Sequence, residues 1–184
     1  MNHFISRGNK IRGIEVDGDQ IQNCRNLGLD VYEGSAEKVP FPDNSFDCIV
    51  CSVVLPYTDE RLAISEWHRI IKPGGRIFAT YQGFGYAFEY VLRDRKIRKR
   101  FYGLRMLLNT YFYWMTSKRL PFFLGDTLCQ SKNRLRSYYE SLGLVLDQEV
   151  IAGTTAGFPQ FFCHQLSKPY QSSKSCQSEA TPKR

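Results

Sequence analysis

Few residues of this 184-residue chain combine a reactive type with a telling position. Glu15, in Gly13-Ile-Glu-Val-Asp17, stands near the end of a stretch from Lys10 to Asp17 that reads as a strand ending in acids. At the carboxyl end of a strand in an open α/β sheet, a carboxylate is placed to accept hydrogen bonds from the hydroxyls of a ribose. Asp17 is the alternative acid, and a solvated loop carboxylate is the plainer role of either. Cys48 and Cys51 have the spacing of a metal or redox pair. They fall in a strand-like run, however, where positions i and i+3 face opposite sides and cannot share an ion. A third chemistry is carried by Arg93-Asp-Arg-Lys-Ile-Arg-Lys-Arg100, which offers six cations against Asp94 alone. Such a run suits an anionic membrane surface or nucleic acid phosphates, and its plainer reading is a solvated helix face.

The elements that must position these residues alternate through the first half, as in parallel α/β architecture. After the strand over Lys10 to Asp17 comes a short helix, Asp19 to Leu27, stopped by Gly28. Asp30 to Gly34 reads as a second strand, and Pro40 to Ser45 as a turn. Phe46 to Leu55 is a near-continuous apolar run, expected of a central strand covered on both faces. Thr58 or Asp59 can cap the next helix, with Leu62, Ile64, Trp67, Ile70 and Ile71 as its apolar positions. Lys72-Pro-Gly-Gly75 is expected to turn into a strand over Arg76 to Tyr81. From Phe84 to Leu124 the chain becomes aromatic, basic and helical in pattern. A helix over Lys132 to Leu142 and strands over Leu144 to Ala152 and Pro159 to Leu166 complete the expected elements.

Composition fits one globular domain: 42% of residues are hydrophobic, 23% are charged and the formal net charge is +7. Six scattered cysteines, with no apolar leader at the first residues, predict free thiols and a cytoplasmic setting. No stretch is long and apolar enough to predict a transmembrane helix. The segment 167–184 is polar and is expected to be a disordered tail after a domain over 1–166.

Three segments taken in order carry a family resemblance: Gly34-Ser-Ala-Glu-Lys-Val-Pro-Phe-Pro-Asp-Asn-Ser-Phe-Asp47, Cys48-Ile-Val-Cys-Ser-Val-Val-Leu55, and Trp67-His-Arg-Ile-Ile-Lys-Pro-Gly-Gly-Arg76. Together they resemble the type 11 family of class I S-adenosylmethionine-dependent methyltransferases. The resemblance implies a Rossmann-like doubly wound sheet, S-adenosylmethionine as cofactor, and Glu15 as the acid on its ribose. Ser35, Ala36 and Glu37 match the turn that lines the adenine, with Ser35 where the family usually has Asp. Cys51, Ser52 and Val53 match the strand mouth beside the methionine moiety. Tyr57, Tyr81 and His164 are the acceptor-side candidates, although His164 in an apolar strand has a packed or surface histidine as its plainer role. The region 84–130 takes the place of the family's lid over the acceptor.

One family feature is not found: the first strand and its glycine-rich loop. The expectation is therefore an N-terminally truncated domain, as a fragment, as a short form without cofactor binding, or as a sheet completed by another chain or segment. Methyl transfer to a small-molecule or lipid-like acceptor is the leading expectation. The alternative is a non-catalytic remnant that binds through its basic insert. An anionic membrane is an expected contact and nucleic acid a less favoured one, because no RNA-binding module is seen.

Overall fold

The computed structural model describes residues 8–170, apart from Asp126 and the side chain of Phe123. Cys176 and most of the expected tail lie outside them.

Two parallel strand-helix-strand units open the chain. In the first, β1 (Gly13–Glu15) leads through α1 (Gly18–Asn26) to β2 (Val31–Glu33), with Gly13 opposite Val31 and Glu15 opposite Glu33. The strand expected over 10–17 is shortened because Asp17 turns aside to cap α1. Its Oδ1 accepts the N–H groups of Asp19 and Gln20 at 2.9 and 3.1 Å. In the second unit, β3 (Phe46–Ser52) leads through α2 (Glu60–Ile70) to β4 (Ile71–Gln82). Asp59 is the cap of α2, its Oδ1 accepting the N–H groups of Arg61 and Leu62 at 2.9 and 3.1 Å. The turn expected at Lys72-Pro-Gly-Gly75 is instead the bulged beginning of β4. Phe46 faces Ile71, yet Cys48 already faces Arg76, and Gly74 takes the left-handed φ of +81° that glycine adopts at no steric cost.

The chain continues through α3 (Phe84–Leu92), α4 (Ile97–Thr116) and α5 (Lys132–Leu142) to the hairpin β5 (Val145–Thr155) and β6 (Phe158–Ser167). Ala156 and Gly157, at φ 52° and 79°, form its two-residue turn, whose right-handed strand twist calls for positive φ at both positions. β6 lies between β4 and β5, antiparallel to both, so the larger sheet has the order β3-β4-β6-β5.

That order makes β3 an edge. Among the described residues it pairs with β4 alone, and Asp47, Cys48, Val50 and Ser52 are exposed, so the expectation of a strand covered on both faces is corrected. An apolar run cannot bury itself without a second neighbour. The strand also stops earlier than expected, at Ser52, because Val53 takes φ 55° and breaks the extended path. The β1–β2 pair makes no ladder with β3 among the described residues. Side chains join the two sheets instead: Ile14, Phe46 and Ile49 pack around Val39, Phe41 and Ile70.

The main core lies under the larger sheet. Ile77, Ala79 and Tyr81 alternate along β4, beside Phe162 and Leu166 of β6. Ile64 and Trp67 of α2, with Leu135 and Tyr139 of α5, cover them. Full burial of each large apolar side chain contributes roughly 1.5–3 kcal/mol. Of the expected α2 positions Leu62 alone points outward. The sheet also holds the chain past residue 166: Gly74 N–H donates to Lys168 O at 2.7 Å, and Lys168 Nζ donates to the carbonyls of His68 and Ile71 at 2.9 and 3.1 Å. The five described cysteines are free thiols.

Candidate active site

The carboxyl ends of β1, β2 and β3 bring most of the predicted residues to one rim. Glu15, half-buried, closes β1. Its Oε1 accepts the N–H groups of Val16 and Asp17 at 2.8 and 3.2 Å, which fixes the carboxylate and leaves Oε2 without a described partner. Beyond β2, Ser35 Oγ accepts Glu37 N–H at 3.1 Å, while Lys38 N–H donates back to Ser35 O at 3.1 Å, so Ser35, Ala36 and Glu37 form a closed, half-buried turn. Glu37 then reaches across. Its Oε1 accepts the N–H of Asp59, 22 positions on, at 2.7 Å, tying the rim of the small sheet to the start of α2 above the large one.

At the end of β3, Cys51 is buried and its thiol is pushed up to about 11 by that burial, so it stays protonated and is no nucleophile at neutral pH. Cys48 faces the other side and is exposed, as the strand period requires. Ser52 Oγ accepts the Thr80 hydroxyl at 3.1 Å across the β3–β4 ladder. Val53 holds its left-handed conformation through an N–H bond to Thr80 O at 3.0 Å. A β-branched residue there is strained, and such strain gathers at functional turns. Tyr57 follows in the short 3-10 turn Leu55–Tyr57 and is 55% exposed on the rim.

Tyr81 and His164 are not on that rim. Both are fully buried beneath the sheet with Tyr139. The Tyr81 and Tyr139 hydroxyls lie 2.6 Å apart, Tyr139 Oη is 3.0 Å from His164 Nδ1, and His164 Nε2 is 3.0 Å from Glu149 Oε2. Burial pulls the His164 pKa below its ordinary value, although Glu149 opposes the shift. A neutral ring that donates from Nε2 to Glu149 and accepts the Tyr139 hydroxyl at Nδ1 satisfies every partner. The arrangement is that of a core polar chain anchored on Lys132, whose Nζ meets Glu149 Oε1 at 2.6 Å.

A second buried network has no counterpart among the residues singled out from the sequence. Glu60, wholly buried in the first turn of α2, receives both Nε and Nη2 of Arg134 at 2.7 Å and Gln130 Nε2 at 3.1 Å. Beside it, Arg119 Nη1 donates to Pro56 O at 3.0 Å and to Gly125 O at 3.3 Å, and its Nη2 donates to Thr58 O. Leu128 N–H also donates to Pro56 O, at 3.0 Å, and Gln130 N–H to Gln82 O at 2.8 Å. The segment after α4 is thereby fastened over the ends of β3 and β4. An acid in a first helical turn ordinarily signals the helix dipole, and nothing in its type marks Glu60 as buried. No group of three His, Cys, Asp or Glu side chains able to hold a metal occurs among the described residues.

This geometry of an α/β sheet with its polar residues gathered at the strand ends has close parallels. An S-adenosylmethionine-dependent methyltransferase from Methanosarcina mazei superposes with a TM-score of 0.67 at 16% identity, covering 92% of this chain and 87% of that one. The fold is thus that of the class I methyltransferases. Residues 1–79 match the model of the methyltransferase-domain family. Two curated relatives agree, both ubiquinone/menaquinone biosynthesis C-methyltransferases. The one from Saccharophagus degradans is 30% identical over 84% of this chain and 56% of its own length, and the one from Pasteurella multocida is 41% identical over 79% and 50%. Over residues 1–79 the chain is thus similar to the type 11 family of methyltransferases, and its fold is theirs. It spans about half the length of the curated relatives it matches.

Proposed function

We propose that this chain transfers a methyl group from S-adenosylmethionine to a small, lipid-like acceptor. The observation that carries the reading is the rim: Glu15, the Ser35–Glu37 turn and the Cys51–Val53 mouth stand at successive strand ends, and the Glu37 to Asp59 bond ties the turn of the small sheet to the start of α2 beyond β3. The chemistry of this donor set fits the cofactor's adenosine end. Glu15 Oε2 has no described partner and can accept ribose hydroxyls, and the Ser35–Glu37 turn supplies the edge for the base. When bound, the sulfonium brings an activated methyl together with its own leaving group. The protein's own work is then to hold the acceptor in line and to keep water out.

Tyr57, exposed at the rim beside Pro56, is the acceptor-side residue this reading selects, because Tyr81 and His164 are committed to the core chain. The region 84–130 serves as the lid, its trailing segment held over the rim by Arg119 and Gln130. The names of the quinone-biosynthesis relatives support a lipid-like acceptor.

Calorimetric titration with S-adenosylmethionine and S-adenosylhomocysteine tests the proposal. Binding is expected, and Glu15→Gln should weaken it by about 10- to 100-fold, the cost of losing hydrogen bonds to a charged group, with no change in the unfolding midpoint. A folded sample that gives no heat up to millimolar ligand overturns it and leaves the non-catalytic binding domain as the reading.

A further inference from the structure

The face of α4 that points away from the protein has no role in the rim. Ile97, Phe101, Leu104, Leu108, Tyr111 and Met115 recur at alternating spacings of four and three along its 20 residues, and each is between 48% and 78% exposed. They form one apolar stripe about 30 Å long at 1.5 Å per residue. Trp114 lies beside it, 72% exposed. Soluble monomers rarely expose an apolar patch of this extent without a use for it.

The stripe cannot roll inward, because the opposite face is already committed. Gly103, Met106, Thr110 and Tyr113 are buried there, and a Cβ on Gly103 would come within 2.7 Å of Ala87 O in α3. Polar anchors fix the same face: Thr110 Oγ1 accepts Cys129 N–H at 2.8 Å, Asn109 Nδ2 donates to Thr127 O at 2.8 Å, and Asn109 Oδ1 accepts Leu120 N–H at 2.9 Å.

Charge decides what would cover the stripe. α4 contains no acid, and the chain from Arg93 to Arg105 holds seven basic residues against Asp94. Arg98 and Arg100 flank the basic end of the stripe, while Arg105 is half-buried over the Tyr102 ring, so parallel pairing with a second copy would set the like charges of that end against one another. An anionic bilayer accepts the arginines and the apolar side chains together. No described helix is long and apolar enough to cross a membrane, which leaves a helix lying in the interface. We infer that α4 docks this protein on anionic lipid bilayers through its outward stripe. Docking goes beyond methyl transfer and does not depend on it.

The chain carries its own reporter, since Trp67 is buried in the core while Trp114 sits at the stripe. The chain is mixed with vesicles of phosphatidylcholine alone, or with one third phosphatidylglycerol, and followed by co-sedimentation and tryptophan emission. The expected result is at least tenfold tighter binding to the anionic vesicles, weakened by salt, with a blue shift and quenching of Trp114 by brominated acyl chains. Replacing Leu104, Leu108 and Tyr111 together by Ser should lower binding at least tenfold while circular dichroism is unchanged. Should that variant misfold, depth-dependent quenching in the unaltered protein decides whether Trp114 enters the bilayer. Vesicle binding without a Trp114 shift, or binding unmoved by the folded triple variant, overturns the inference. So does a dimer that the triple variant dissociates while vesicles are ignored, which would assign the stripe to a second copy.

Discussion

The two strand-helix-strand units share a connection and differ in outcome. β1–α1–β2 pairs three residues with three, and Ile21 of α1 and Val31 of β2 are its buried apolar side chains. β3–α2–β4 builds a strand of 12 residues and buries Ile64, Trp67, Ile71, Ile77 and Tyr81. Local signals do not separate them: each helix has an aspartate cap, and each strand pair is parallel. The difference is lateral. β6 pairs with β4 over seven residues and α5 closes the layer beneath, whereas no described strand lies beside β1 on its far side. Strand length here follows neighbours and cover more than local motif.

The largest expected effect sharpens that contrast from the well-covered side. Arg134→Ala strands the wholly buried Glu60 carboxylate and should cost about 3–5 kcal/mol of unfolding free energy in a denaturant titration. Next, Ile77→Ala should cost about 3 kcal/mol, while Ile14→Ala in the half-buried pair should cost about 1 kcal/mol. Equal losses would break the comparison. The smallest effect is a pH dependence confined to the larger sheet. His164 has a folded pKa below its ordinary 6.5, so the unfolded chain binds the extra proton first. Stability should be full above about pH 6.5 and decline as pH falls through the folded value, with Glu149, also held low, adding its loss in the carboxylate range. Thermal melts across that window should show the histidine step vanish in His164→Gln.

Much of this was legible in the sequence for definite reasons. The apolar period and Gly143 bound the helix over Lys132 to Leu142 as observed, and Asp59 was readable as a cap. Glu15 was legible as an acid at a strand end, a local feature, whereas Ser35 to Glu37 and Cys51 to Val53 were reached through the family resemblance, whose motifs are contiguous stretches of sequence. Glu60, Gln130 and Arg134 could not, since their bonds join residues 70 and 74 positions apart and no residue type announces a buried ion pair. Lys72-Pro-Gly-Gly75 misled because a bulge and a turn use the same residues. The aromatic insert left core and surface undivided: heptad spacing shows that Leu104 and Met106 lie on different faces of α4, and only packing decides which one faces out.

The antiparallel pairing of β4 with β6 has a consequence for how the chain reaches its shape. Gln82 meets Phe161 across everything between, α3, α4 and α5 included, whereas β5 and β6 meet through a turn of two residues. The hairpin can form within microseconds on its own, and its docking must wait for a long loop to close. Closure entropy grows only as the logarithm of length, about 0.6 kcal/mol for each doubling. The long insert therefore weighs little on equilibrium stability and a great deal on folding time. Until β6 arrives, β4 stands as an open edge, and a nascent chain is most exposed to wrong pairing at that moment.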